Sequence, residues 1–119
     1  MFTEHLKKLV DGVDGGIGSL IMGLDGIAVD SYVRDSASAE EVNTIGMEFS
    51  FLLTQVRKAG EVLQIGGVEE MTIKAEKLTL ILRMLTDEYF LALMLDADGN
   101  FGKGRFFMRL AAPRLVAEL

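Results

Sequence analysis

A long helix is predicted in the middle of the chain, and it restricts the folds that the other residues can form. The run Ser38-Ala-Glu-Glu41 matches a capping box, in which a serine is followed three residues later by a glutamate. Gly66 and Gly67 end the helical pattern, so the helix extends to about Ile65. In a chain of 119 residues, a helix of this length has to cover a sheet formed by the residues on either side of it.

The predicted helix carries apolar residues on two sides. The side expected to cover the sheet repeats at three- and four-residue steps and comprises Val42, Ile45, Phe49, Leu52, Val56, Ala59 and Leu63. A second group lies on roughly the opposite side at ~100° per residue and comprises Met47, Phe51, Val62 and Ile65. Either the helix is sandwiched within its own domain, or this second side contacts a partner subunit. Because the chain offers no obvious further helix to cover it, the partner subunit is the better interpretation.

Five strands are predicted around this helix. Residues 17–22 and 27–33 form an antiparallel hairpin, because the Asp25-Gly26 pair between them tolerates the positive φ angles of a tight turn. Residues 68–75 alternate between apolar and polar side chains, as in a half-exposed strand, and residues 78–85 form the next strand. Residues 89–95 are apolar on both faces, which predicts a strand at the centre of the sheet.

Two shorter helices are predicted at the ends of the chain. The first is capped by Thr3. The last spans residues 104–119, and Pro113 is expected to kink it or to limit its regular part. Its apolar stripe comprises Phe107, Leu110, Ala111 and Leu115. The predicted fold is therefore α/β, in the order α-β-β-α-β-β-β-α, with a five-stranded antiparallel sheet, the long helix on one face and the terminal helices on the other. Residues 1–119 are expected to form a single domain.

Composition and charge exclude several classes of function. A formal net charge of -6 and scattered basic residues disfavour nucleic-acid binding. The N-terminal residues lack the order of a signal peptide, and no apolar run approaches the ~18 residues that span a bilayer, so secretion and membrane insertion are disfavoured. The chain has no cysteine, which excludes disulfides and agrees with a cytoplasmic location.

Candidate catalytic and metal sites are incomplete in the sequence. His5 is the only histidine and is expected to be solvated. Asp96, Asp98 and Asn100 have the spacing that starts a calcium loop, but Phe107 stands where the bidentate glutamate is needed. Residues 99–104 are one residue short of a phosphate loop. The glutamates from Glu40 to Glu70 are dispersed, which indicates a solvated face rather than paired catalytic acids. The chain is therefore predicted not to be an enzyme and to need no metal or cofactor.

Three segments together resemble the Roadblock (dynein light-chain) family. Residues 18–31, from Gly18 through the Asp-Gly turn to Ser31, are similar to the hairpin that opens the family fold. The long helix from Ala39 and the strand after it form the second segment. The third is Leu91 to Arg109, in which an apolar strand, an acidic turn and Asn100-Phe-Gly102 precede the last helix. The resemblance covers residues 6–115, and the order and spacing of the motifs are more specific than any single motif.

The resemblance implies a Roadblock/profilin-like fold in which two protomers pair their edge strands and place their long helices side by side. It also implies a homodimer that binds and regulates a Ras-like GTPase, with activation of GTP hydrolysis as one form of that regulation. This is closest in kind to the bacterial MglB-type regulators, and the domain would have no catalytic site of its own. Two alternatives stay open: a structural adaptor without effect on nucleotide hydrolysis, and a small-ligand sensory domain, since fold alone does not settle function.

Nine residues are the candidates for these contacts. The residues predicted to form the dimer interface are Met47, Phe51, Met71, Thr72 and Ile73. For the GTPase we predict the residues on the outer side of the long helix, namely Glu48, Gln55, Arg57 and Lys58. Ras-like proteins often receive an arginine in trans, but Arg57 is expected to make a surface contact rather than to act in this way.

Overall fold

Five strands form one antiparallel sheet, and three helices cover its two faces. The computed structural model describes residues 2–35 and 38–119. Within them the elements are α1 (Phe2–Asp11), β1 (Gly16–Gly23), β2 (Ala28–Val33), α2 (Ala39–Val62), β3 (Glu70–Lys74), β4 (Thr79–Met84), β5 (Tyr89–Leu95) and α3 (Phe101–Glu118). The predicted order of elements and the antiparallel sheet are confirmed.

The strand order is β2-β1-β5-β4-β3, so β5 occupies the centre and β2 and β3 form the two edges. Every β5 residue from Phe90 to Leu95 is buried. Leu91, Leu93 and Leu95 pack with α1 and α3 on one face. Phe90, Ala92 and Met94 pack on the other face with residues of α2. Because side chains alternate along a strand, those of β5 contribute to two separate cores. This confirms the central position that was predicted from the apolar sequence of β5.

The N-terminal helix begins before its predicted cap. Thr3 lies inside α1, and its hydroxyl donates a hydrogen bond to the carboxylate of Asp30 in β2 at 2.7 Å. The cap prediction was wrong because this hydroxyl has a partner in another element. His5, expected to be solvated, lies with its Nε2 3.0 Å from Glu118 Oε2, so it joins α1 to the end of α3.

The long helix begins as predicted and ends earlier. The hydroxyl oxygen of Ser38 accepts a hydrogen bond from the backbone N–H of Glu41 at 3.3 Å, which confirms the predicted cap. The helix ends at Val62, three residues before the predicted end. Gln64 and Gly66 then adopt positive φ angles of 57° and 93°, which a continuing helix does not allow.

The side of α2 that faces the sheet differs from the prediction. Its buried residues are Val42, Gly46, Ser50, Leu53 and Gly60. Leu52 and Leu63, which were assigned to this side, are exposed. The prediction is confirmed for Val42, Ile45 and Phe49, which pack against the core, but it missed the small residues at which the helix comes closest to the sheet. A Cβ atom at Gly46 would lie 2.9 Å from Leu20 Cδ2 and 3.1 Å from Met22 Cε, so glycine permits the observed distance between helix and sheet.

The last helix also starts earlier than predicted and continues past its proline. The side-chain oxygen Oδ1 of Asn100 accepts a hydrogen bond from the backbone N–H of Lys103 at 3.1 Å and caps α3. The helix extends to Glu118, so Pro113 does not end it. Its buried residues are Gly104, Met108 and Leu115. Leu110, predicted to be buried, is 55% exposed because it projects beside the contact between α3 and α1 rather than into it.

The close approach at Gly46 yields a test of the packing. We expect Gly46→Val to lower the free energy of unfolding by about 1–3 kcal/mol, because the added methyl groups would overlap Leu20 and Met22. Thr44→Val, at an exposed position two residues away, should change it by less than about 0.5 kcal/mol. Urea denaturation followed by circular dichroism measures both. Equal effects at the two positions would contradict the packing described here.

Candidate interaction surface

The side of α2 turned away from the sheet combines apolar and charged residues. We call this side the outer face, and it comprises the exposed residues Met47, Glu48, Phe51, Gln55, Lys58 and Val62. Apart from the adjacent Met47 and Glu48, successive members of this set lie three or four positions apart, which places them on one side of the helix. Phe51 is 74% exposed and Val62 is 76% exposed. The second apolar side predicted from the sequence therefore lies at the surface of the single chain.

The exposed apolar surface continues beyond the end of the helix. Leu63 and Ile65 follow Val62 and are both exposed in the connection to β3. Exposed apolar residues that are scattered singly are common, but a group along one helix side and its C-terminal extension is typical of an interaction site. Of this group, the sequence pattern missed only Leu63, because it was counted with the residues that face the sheet.

The edge strand β3 has backbone groups available for pairing. It pairs with β4, and no other strand among residues 2–35 and 38–119 lies beside it. The carbonyl of Glu69 accepts from the N–H of Met84 at 2.9 Å, and the N–H of Ala75 donates to the carbonyl of Leu78 at 2.8 Å. Because the direction of backbone groups alternates along an antiparallel strand, those of Glu70, Thr72 and Lys74 point away from β4.

The side chains of β3 alternate between the two faces of the sheet. Met71 and Ile73 are partly buried against the core under α2. Thr72 is exposed on the opposite face. The side chains of Met71 and Ile73, two of the predicted interface residues, therefore pack against their own chain. The third, Thr72, has both its side chain and its backbone groups accessible. β3 can offer a partner mainly its backbone.

Glu70 fixes the last helix to this edge. Its carboxylate accepts hydrogen bonds from Arg105 Nε at 3.0 Å and Arg105 Nη2 at 2.6 Å, and Arg83 Nη1 lies 3.8 Å from its other oxygen. The hydrogen bond with Glu70 and the charge of its carboxylate raise the pKa of the Arg105 guanidinium above its ordinary value. The prediction that Glu70 belongs to a solvated acidic face was wrong, because it is half-buried between two arginines.

Arg57 differs in position from the other three residues predicted to contact a GTPase. Its Nη1 donates to the backbone carbonyl of Asp87 at 3.3 Å, and its Nη2 lies 3.8 Å from an oxygen of the Asp87 carboxylate. The Arg57 side chain is only 23% exposed. It therefore joins α2 to the turn between β4 and β5, whereas Glu48, Gln55 and Lys58 lie on the outer face.

In the part of the chain that the structure describes, no group of three or more histidine, aspartate or glutamate side chains is arranged to hold a metal ion. The segment that begins like a calcium loop forms a turn, in which the N–H of Gly99 donates to the carbonyl of Asp96 at 2.8 Å. None of the described helices has the length and apolar character needed to cross a membrane.

Comparison with solved structures finds similarity both in sequence and in fold. MglC from Myxococcus xanthus is 42% identical, and the match covers 99% of this chain and 98% of that chain with a TM-score of 0.72. A Roadblock/LC7 domain from Streptomyces avermitilis is 15% identical, covering 95% and 92% of the two chains with a TM-score of 0.83.

A third similar structure is the gliding protein MglB from Thermus thermophilus. It is 16% identical, and the match covers 98% of this chain and 88% of that chain with a TM-score of 0.84. At such identities the likeness to MglB and to the Streptomyces domain concerns the fold alone. No family model and no curated protein matches the chain.

The orientation of the β3 backbone predicts different effects of proline at two adjacent positions. Thr72→Pro should cost about 1 kcal/mol or less, because the N–H of Thr72 points outward and donates to no group in β4. Ile73→Pro should cost about 2 kcal/mol more, because it removes an N–H directed at β4 and leaves a buried carbonyl unpaired. Chemical denaturation at low protein concentration, where association contributes little, measures this difference. Equal destabilisation by both prolines would contradict the assigned alternation.

Proposed function

The chain belongs to the Roadblock/LC7 family, and on this premise we propose that it forms a homodimer that binds and regulates a Ras-like small GTPase. The observation that carries the proposal is that one chain has both an exposed apolar outer face on α2 and an edge strand, β3, whose outward backbone groups face no other strand of the described sheet. The GTPase is the partner that the family resemblance implies, and the mixed charged and apolar character of the outer face suits a protein partner.

In the proposed dimer, the β3 strands of two protomers pair and their sheets become continuous. The outward backbone groups around Thr72 supply the hydrogen bonds, and Met71 and Ile73 flank them. Met47 and Phe51 contact the second protomer's α2, which removes their apolar surface from water. This burial supplies the driving force, because each large apolar side chain contributes about 1.5–3 kcal/mol when fully buried.

The GTPase is proposed to dock on the charged part of the outer face. Glu48, Gln55 and Lys58 project from it, and Arg57 lies at its flank. Because Asp87 holds Arg57 against the chain, we infer that Arg57 is not inserted into a GTPase active site. Regulation then requires that the dimer bind the GTP-bound and GDP-bound forms of the GTPase with different affinities. A partner shifts the equilibrium between two conformations only through a difference in its binding free energy for them.

A charge on the outer face tests the dimer. Phe51→Glu should yield a folded monomer, because Phe51 is exposed in the chain and its burial is proposed only between protomers. Light scattering coupled to size exclusion gives the mass, and circular dichroism reports folding. Val116→Glu, an exposed apolar position on α3, is the matched control and should leave the dimer intact. A monomeric mass for the wild-type protein would contradict the proposed dimer.

Nucleotide dependence tests the regulatory role. Wild-type protein should co-elute with a candidate Ras-like GTPase loaded with a GTP analogue and not with the GDP-loaded form. Lys58→Glu should weaken that binding about tenfold by reversing a charge in the interface, whereas Lys77→Glu, in the exposed β3–β4 connection, should not. Equal binding of both nucleotide states would favour the structural adaptor, and the absence of binding to either state would contradict the GTPase proposal.

A further inference from the structure

A groove of about 280 Å³ lies between α1 and α3, on the opposite face of the sheet from α2. Its apolar lining is formed by Leu9, Phe107, Leu110 and Ala111. Leu9 is buried, and Phe107 and Ala111 are half-buried, so they form the floor. Leu110, which is 55% exposed, stands at its side. The groove therefore offers an apolar floor that an incoming side chain can reach from solvent.

Both ends of the groove are held by contacts between the two helices. At one end, His5 and Glu118 join the start of α1 to the end of α3. At the other end, the helices approach so closely that a Cβ at Gly12 would lie 3.3 Å from Phe107 Cε2. The depression is thus part of the packed structure and does not require a movement of either helix to form.

The polar rim of the groove is basic in an acidic protein. The chain has a formal net charge of -6, whereas α3 contains four basic residues and one acidic residue, hence a charge of +3. Lys8 and Arg114 line the groove from its two helices. Neither they nor the nearby Arg109 form an ion pair with any of the described residues. Arg105 on the same helix, in contrast, is paired with Glu70.

We propose that this groove binds an acidic amphipathic segment of a partner protein. One or two apolar side chains of the segment enter between Leu9, Phe107 and Leu110, and its carboxylates pair with Lys8 and Arg114. The complementary charge orients the segment and raises its rate of association, while the apolar contact supplies most of the affinity. One ligand thereby pairs with both cations, which form no ion pair within the described residues, and covers the accessible part of the apolar floor.

An anionic membrane is the other surface that attracts basic and apolar groups. The groove fits it less well, because the apolar floor is recessed and the membrane-binding surface of an amphipathic helix is convex. A protruding side chain of a peptide reaches Leu9 and Phe107, whereas a layer of headgroups cannot follow the depression. The geometry therefore favours a peptide over a lipid surface.

Binding of a designed peptide to the full chain tests the proposal. The probe is a labelled helical peptide of about 18 residues, with leucines at i, i+4 and i+7 and glutamates at most other positions. Fluorescence anisotropy should show binding that weakens as salt increases. In heteronuclear NMR spectra, the shifted amides should cluster around Leu9, Phe107 and Leu110. A control peptide with the same leucines and lysine in place of every glutamate should bind at least tenfold more weakly.

Variants of the groove complete the experiment. Lys8→Glu combined with Arg114→Glu should weaken binding of the acidic peptide about tenfold or more, and Leu110→Ser about fivefold. Lys77→Glu, at an exposed cation that does not line the groove, is the control and should leave the affinity unchanged. Circular dichroism confirms that each variant is folded.

Three results would overturn the proposal. They are absence of binding, equal binding of both peptides, and shifts confined to the outer face of α2. A fourth result would also contradict a peptide ligand. If phosphatidylserine vesicles bind the wild-type protein but not the double variant, and the acidic peptide does not bind, the ligand of the groove is a membrane surface. The tests of the dimer and of GTPase binding depend on α2 and β3, whereas the groove variants lie in α1 and α3. Failure of the proposed function can therefore be distinguished from failure of the peptide-binding proposal.

Discussion

Burial of β5 on both faces is the constraint on which the rest of the structure depends. Phe90, Leu91, Ala92, Leu93 and Met94 are all inaccessible to solvent, so each face of the sheet needs a cover. The chain uses α1 and α3 for one face and α2 for the other. Because α2 alone covers a whole face of the sheet, it has to be long. Because no other element of the described chain lies over α2, the side of the helix turned away from the sheet is exposed. The candidate interaction surface follows from this division of the helices.

Small residues set how closely α2 approaches the sheet. Gly46 lets the helix backbone come close to β1. Phe49 packs on the same side despite its size, whereas Met47 and Phe51 lie on the other side and are exposed. The bulky apolar residues therefore do not mark the packed side in full, as they do in an ordinary amphipathic helix. The surplus of apolar surface is what a second protomer would bury.

Local chemistry made much of the fold predictable from the sequence. The Ser38 cap, the Asp25-Gly26 turn and the apolar run of β5 depend on residues close together in the chain, and the structure agrees with each. The contacts that were missed join distant residues. Glu70 and Arg105 are 35 positions apart, and Arg57 and Asp87 are 30 apart. No periodicity records such pairs, so the sequence placed Glu70 on a solvated face and Arg57 with the outer-face residues.

The two surfaces identified lie on opposite sides of the sheet and differ in character. The outer face of α2 carries apolar residues with charges of both signs, whereas the groove between α1 and α3 is apolar with a basic rim. Because the sheet separates them, occupation of one does not obstruct the other. In the proposed dimer the groove is present twice, so that a partner with two acidic segments joined by a suitable linker would bind with a high effective concentration for the second contact. If both proposals hold, one dimer connects a GTPase to a second partner through a surface that the GTPase does not occupy, while it regulates the GTPase through the other.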